Sequence, residues 1–252
     1  MLAVYLSGTG NTRHCTEKLA KLIDENSKIK PIESENIVSD IEKEETIIIG
    51  YPTQYSDCPY MIKDFIIKNK NIWKGKKVFC LTTMALFSGD GTGCCARILK
   101  KYGAIIIGGA QIRMPDSICD IKLLKFSVEK NRKIIKKADR KIERIANQIK
   151  NGKFPKQGLK FHHRIAGLLG QRIFFRKKTQ SYCEKIKISD ECIGCGLCSK
   201  LCPTKNIKIE NKKALAGDKC TMCYRCISNC PKKAITLLGK KVVEQCKYEK
   251  YK

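Results

Sequence analysis

Two runs of the form C-x2-C-x2-C-x3-C-P stand near the end of this 252-residue chain: Cys192, Cys195, Cys198 and Cys202-Pro203, then Cys220, Cys223, Cys226 and Cys230-Pro231. They lie in an internal repeat, ECIGCGLCSKLCPTKNIKI being answered 28 residues later by KCTMCYRCISNCPKKAITL with the cysteine spacing, the proline and the following apolar strand all kept. Three thiolates spaced by two residues wrap one face of an iron–sulfur cube, while the fourth, beyond a turn fixed by proline, points toward the other cube. The halves therefore exchange ligands. This pattern pairs Cys192, Cys195 and Cys198 with Cys230 around one 4Fe–4S cluster, and Cys220, Cys223 and Cys226 with Cys202 around the other. Zinc takes paired C-x2-C knuckles but has no use for the third cysteine of each run. Gly194 and Gly196 let backbone N–H groups approach the sulfurs of the first cluster.

The remaining cysteines (Cys15, Cys58, Cys80, Cys94, Cys95, Cys119, Cys183 and Cys246) are scattered and read as small buried hydrophobes. The start, MLAVYL, lacks a basic n-region and cleavage site, and no apolar run approaches a membrane span. The expectation is a cytoplasmic protein without an integral membrane segment, in which metal binding explains clustered cysteines better than disulfides do. A net charge of +27 suits nucleic acid, an anionic membrane or an acidic protein. Lysine supplies 41 of the cations and arginine 10, a bias that codon usage can produce, and arginine is the residue that reads bases and phosphates bidentately. Acidic protein partners therefore fit better than nucleic acid.

Five apolar, β-branched runs alternate with helix-like segments in the first 150 residues: LAVYL at 2–6, KIKPI at 28–32, TIIIGY at 46–51, KVFCLTT at 77–83 and AIIIGGAQI at 104–112. Helices are expected at 12–26, 59–69, about 92–102 and about 126–150. That alternation predicts an α/β fold, a doubly wound parallel sheet with its ligand at the carboxyl ends of the strands. Residues 151–182 read as a basic amphipathic linker in which Phe161, Ile165, Leu168, Leu169 and Ile173 share a helical face. The expected role of that face is packing between domains; weak contact with a membrane surface or a partner is the second reading. Three units result: a domain over 1–150, the linker over 151–182 and a small α+β domain over 183–252.

Between the first strand and first helix stands LSGTGNT, residues 6–12. It lacks the Gly-Lys-Ser/Thr of an ATP loop and the third glycine of a dinucleotide loop. Hydroxyls of Ser7, Thr9 and Thr12, with Gly10 and Asn11 opening the helix, can hold a phosphate dianion through side chains and free N–H groups, without a side-chain cation. This stretch resembles the FMN loop of flavodoxins. The resemblance implies two flavin-ring loops: Pro52, Thr53, Gln54 and Tyr55 after the third strand, and Thr83, Met84, Phe87, Gly89 and Gly91 after the fourth, with Tyr55 and Phe87 as stacking candidates. The tryptophan usual in flavodoxins is missing there, the single Trp73 lying beyond the helix at 59–69.

SGTGNT, GYPTQYSD, RMPDS at 113–117 and both cysteine runs occur in the order found in flavodoxin and two-cluster ferredoxin fusions of anaerobic bacteria and archaea, which the chain resembles over nearly its whole length. The resemblance implies FMN and two 4Fe–4S clusters, a flavodoxin-like sheet followed by a ferredoxin-like domain, and electron transfer to or from an acidic redox protein such as a ferredoxin or a reductase. An FMN-dependent reductase of a small molecule is the alternative, with residues 113–125 as its lid.

Overall fold

The structure, a computed structural model, describes residues 1–167, 169 and 185–252. Strands β1 (Leu2–Tyr5), β2 (Lys28–Pro31), β3 (Thr46–Pro52), β4 (Lys77–Met84) and β5 (Ile105–Arg113) alternate with helices α1 (Asn11–Ile23), α2 (Ile37–Glu42), α3 (Tyr60–Lys68), α4 (Gly91–Lys101) and α5 (Val128–Lys150). The strands form one parallel sheet in the order β2-β1-β3-β4-β5. Ile47 and Ile49 of β3 face one core with Ile62, Ile66 and Trp73, while Ile48 faces the other with Leu19, Ile142 and Ile145. This is the alternation that a sheet covered on both faces requires. The order reverses between β1 and β3, so the loops after these strands diverge and leave a crevice at their carboxyl ends.

Beyond α5 the chain returns to the sheet edge. Gly109 N–H donates to Pro155 O at 2.7 Å and Gln157 N–H to Gly109 O at 2.9 Å, which pairs part of an otherwise open β5 edge. Helix α6 (Phe161–Gly167) follows. Its expected packing face is not buried: Phe161, Ile165 and Leu169 are all exposed. The helix meets the first domain through Gly167, where a β-carbon would fall 2.7 Å from Asp90, so a glycine edge makes the contact that the apolar stripe was expected to make. Leu168, Ile173 and Cys183 lie outside the described residues.

The C-terminal part is built from β6 (Lys187–Ile188), α7 (Leu197–Leu201), β7 (Ile207–Glu210), β8 (Lys213–Ala216), α8 (Arg225–Asn229), β9 (Ile235–Thr236) and α9 (Tyr248–Tyr251). β6 pairs with β9 and β7 with β8, both antiparallel, so the strand after each cysteine run sits in a different ribbon. Among the described residues no helix is long and apolar enough to cross a membrane.

Candidate functional site

The crevice is a cavity of about 1230 Å³, its open mouth included. Its floor is the β1–α1 loop. Gly10 N–H donates to Ser7 Oγ at 3.2 Å, and α1 starts without a side-chain cap, its first bond running from His14 N–H to Gly10 O at 2.9 Å. The N–H groups of the first turn therefore have no acceptor within the helix. Thr12 Oγ1 lies 2.8 Å from Thr83 Oγ1 and Thr9 Oγ1 2.8 Å from Ser117 Oγ. Asn11 donates through Nδ2 to Pro115 O at 2.8 Å, which leaves its buried Oδ1 without a partner among the described residues. Hydroxyls, uncapped N–H groups and an orphaned acceptor suit a ligand with both a phosphate and hydroxyl groups.

Of the residues singled out in the sequence, Ser7, Thr9, Asn11, Thr12, Pro52, Thr53, Gln54, Tyr55, Thr83, Met84 and Phe87 line this cavity. Gly10, Gly89 and Gly91 do not. Gly89 backs against Ser56 and Gly167, and Gly91 against Thr53 and Ser88, so those two glycines serve close packing at the start of α4. Also lining it are Gly8, Ala85 and Leu86, to which the sequence gives no site role, residues 114–118 and Leu124, which it gives only as a lid in the alternative reading, and Met222, Cys223 and Tyr224 from the distant cysteine domain, which it does not place at this cavity. No periodicity marks the 113–125 stretch, and no local signal connects positions separated by 200 residues.

The eight repeat cysteines surround two further cavities. Cys192, Cys195, Cys198 and Cys230 line one of about 340 Å³, and Cys202, Cys220, Cys223 and Cys226 line the other, of about 390 Å³. Among the described residues no three Cys, His, Asp or Glu converge as ligands of a single ion, for which tetrahedral zinc would bring sulfurs to about 3.8 Å from one another. Backbone N–H groups aim at the sulfurs in matching places: Asn206 N–H on Cys202 Sγ at 3.2 Å and Ala234 N–H on Cys230 Sγ at 3.3 Å, each four residues past its cysteine. Burial raises the thiols of Cys198, Cys223 and Cys226, a cost to the thiolate that a bound metal's positive charge offsets.

A family profile described as flavodoxin domain matches residues 2–153, and one described as 4Fe-4S dicluster domain matches residues 184–231. The chain belongs to the flavodoxin family. Its flavodoxin domain is followed by a dicluster domain, and the pair supports an electron-transfer protein of FMN and iron–sulfur type. Among solved structures, two-electron reduced flavodoxin from Megasphaera elsdenii is 25% identical, with 46% of this chain and 89% of that one covered and a TM-score of 0.42. A flavodoxin from the domain Archaea is 16% identical over 59% of this chain and 97% of that one, with a TM-score of 0.41. No curated protein matches the chain.

The flavodoxin and dicluster domains interlock. Ile118 and Cys119, from the stretch after β5, pack in the core of the dicluster domain, while Tyr248 and Tyr251 of the C-terminal tail pack in the flavodoxin core. Tyr248 N–H donates to Thr9 O at 2.8 Å, and its ring stacks on His14 at 4.2 Å. Gly8 lies so close to the dicluster domain that a β-carbon there would fall 1.7 Å from Cys223 O, so only glycine fits. Arg225 clamps the same place, donating to Ser7 O at 2.8 Å and pairing with Glu33 at 2.6 Å.

Asp120 is the hub of the seam. It is buried and accepts from Tyr224 Oη at 2.9 Å and from the N–H groups of Leu237, Leu238 and Gly239 at 2.7, 2.8 and 3.0 Å. Burial and that carboxylate push the Tyr224 hydroxyl well above the ordinary phenol range, so it remains a donor. The 113–125 stretch is thus not a lid standing free of the molecule: residues 114–120 pack between the domains, while Arg113 at one end and Lys122 and Leu123 at the other reach solvent.

Two buried thiols share this seam. Cys246 is hydrogen-bonded to Cys119 and lies 3.0 Å from Lys125 Nζ, which together push its thiol from 9.0 down to about 7, while Cys119 is pushed up. Below about pH 7 folded and unfolded chains hold both protons. Between about 7 and 9.0 the folded pair holds one and the unfolded pair two, so stability rises with pH; above 9.0 the unfolded pair holds none and stability falls. The gap in denaturant midpoint between wild type and Cys246→Ser should therefore widen from about pH 7 to about pH 9 and level off above it, because burial still holds the Cys119 proton in the variant and both chains then lose stability alike. A gap that narrows over that interval would show that the two thiols do not share a proton in this way.

Proposed function

We propose that FMN binds in the flavodoxin-domain cavity with its phosphate on Ser7 to Thr12, that two 4Fe–4S clusters bind in the crossed cysteine quartets, and that the chain relays electrons between them and an external redox protein. The observation that carries the relay is the shared wall: Met222, Cys223 and Tyr224 line the flavodoxin cavity, and the same three residues line the cavity of Cys202, Cys220, Cys223 and Cys226. That quartet is therefore adjacent to the flavin, and the quartet of Cys192, Cys195, Cys198 and Cys230 is the remote one, with Cys195 exposed. FMN supplies the exchange between single electrons from clusters and paired electrons.

The protein's own groups do the rest. Uncapped N–H groups and the hydroxyls of Ser7, Thr9 and Thr12 hold the phosphate; Gln54, whose Nε2 donates to Thr221 O at 2.9 Å, fixes the ring loop against the cluster domain. The N–H groups on Cys202 and Cys230 stabilise charge on the sulfurs and so set the potentials. In this reading residues 1–150 carry the flavin and 183–252 the clusters, with the tail after Glu244 laid back over the flavodoxin domain through Tyr248 and Tyr251, and a reducing cytoplasm suits cluster thiolates.

Thr12→Val tests the phosphate placement. One hydrogen bond to a dianion is worth about 1.5–3 kcal/mol, so FMN should bind about 10- to 100-fold more weakly while riboflavin, which lacks the phosphate, binds nearly as before. Equal loss for both ligands, measured by flavin fluorescence, would move the phosphate elsewhere.

A further inference from the structure

A second groove opens beside the flavodoxin cavity, and Met84 lines both. Seven cations line it: Arg113 and, along α5, Lys130, Lys133, Lys137, Arg140, Lys141 and Arg144; no carboxylate does. Glu129 pairs with Lys133 at 2.7 Å, but no ion pair engages Lys137, Arg140 or Arg144 among the described residues. The acidic residues of this helix's second half, Asp139 and Glu143, turn instead to Lys18 on α1. Burial and the neighbouring Arg144 hold the Lys141 amine below its ordinary range, a sign that the cations are crowded. Like charges three and four residues apart on a helix repel, and a docked anionic surface would relieve that repulsion.

The mouth of the cavity next to this row is apolar and open. Leu86 and Phe87, which line it, are 63% and 46% exposed, and Leu123, next in sequence to the cavity-lining Leu124, is 89% exposed. The two features are joined, because Arg113 Nε donates to Ala85 O at 3.1 Å beside Leu86, and the segment bearing Leu123 runs directly into α5. An apolar centre flanked by charge is the anatomy of a transient protein interface.

We infer that the α5 cation row with Leu86, Phe87 and Leu123 is the docking face for an acidic electron-carrier protein, which thereby exchanges electrons at the flavin and not at the remote cysteine quartet. This rests on the proposed relay. Length decides the occupant: from Lys130 to Arg144 the row runs about 21 Å along the helix, a span and charge count that an acidic protein face matches and the two or three charges of a nucleotide do not.

The test uses the full holoprotein and a dithionite-reduced small acidic ferredoxin as probe, with flavin reduction followed in stopped flow at low and high salt. The triple variant Lys133→Glu, Lys137→Glu, Arg140→Glu should react on the order of tenfold more slowly at low salt and lose the salt dependence, because steering is reversed. Lys200→Glu, Lys208→Glu, Lys212→Glu, on the dicluster surface, should change the rate little. Leu123→Ala should slow exchange at both salt concentrations. A larger effect from the dicluster triple, or none from the α5 triple, would overturn the docking face while leaving the relay standing. Tight binding of pyrophosphate or a pyridine dinucleotide that the α5 triple abolishes, with ferredoxin exchange unchanged, would give the groove to a small polyanion and overturn it as well. No exchange between wild type and the ferredoxin would remove the acidic-partner reading and the docking face together.

Discussion

Replacing Cys202 with serine is expected to remove the cluster of Cys220, Cys223 and Cys226 and to spare the one held by Cys198, its near neighbour in sequence. Cys202 lines the second cavity together with Thr204, Asn206 and the later three cysteines, whereas Cys198, at the start of the same helical turn, lines the first. The chain leaves α7 at Cys202 in an extended conformation, which turns this thiol away from Cys192, Cys195 and Cys198. Cys230 leaves α8 in the same conformation, so the exchange is reciprocal. Iron and acid-labile sulfide should fall from about eight of each per chain to about four. FMN content should be unchanged, but flavin and the surviving cluster should no longer exchange electrons rapidly, because the cluster lost is the one that shares a wall with the flavodoxin cavity. Cys230→Ser should remove the other four irons and leave the flavin in contact with a reducible cluster. Electron paramagnetic resonance of the two variants distinguishes these outcomes, and identical spectra from both would contradict the crossed assignment.

The flavodoxin-domain strands were legible to within a residue or two at either end because burial on both faces demands continuous β-branched runs, and the chain supplies them at Thr46–Pro52 and Ile105–Arg113. The cavity floor was legible because a hydroxyl-rich loop that opens the first helix of such a sheet suits an anion on the helix's free N–H groups, and no side chain caps α1. What escaped reading depends on contacts remote in sequence. Asp120 looks like any polar loop residue until Leu237 to Gly239 fold against it. The repeat also hides a difference. Gly194 and Gly196 have positive φ, and their counterparts Met222 and Tyr224 adopt the same left-handed region at φ 54° and 60° without being glycine. That conformation costs roughly 1–2 kcal/mol per residue, and it persists because both side chains wall the flavodoxin cavity and Tyr224 is tied to Asp120. Symmetry in the sequence thus anticipates the two cysteine quartets that line separate cavities, and its violation marks where the dicluster domain meets the flavodoxin cavity.

Asp120→Ala should have the second large effect, on the rate of electron exchange within the chain. The substitution leaves three backbone N–H groups and the Tyr224 hydroxyl without their common acceptor at the seam, and such losses cost about 3–5 kcal/mol when a buried charged partner is removed. The Cys119 and Arg225 contacts would remain, so both domains should keep their cofactors, and absorption spectra of flavin and clusters should be nearly unchanged. Tyr224 would no longer be held in its left-handed conformation, and the segment Met222–Tyr224 would relax away from the cavity. In wild type, flavin and cluster should equilibrate after flash reduction in a first-order step independent of protein concentration, because the interlocked domains fix their separation. In Asp120→Ala that step should slow by about tenfold or more, since holding two groups in one geometry is the seam's contribution. Tyr224→Phe, which removes one of the four hydrogen bonds and keeps the ring, should fall between the two. An unchanged rate in Asp120→Ala would mean that the remaining contacts position the cluster by themselves, and a wild-type rate proportional to protein concentration would mean that electrons pass between molecules and not across the seam.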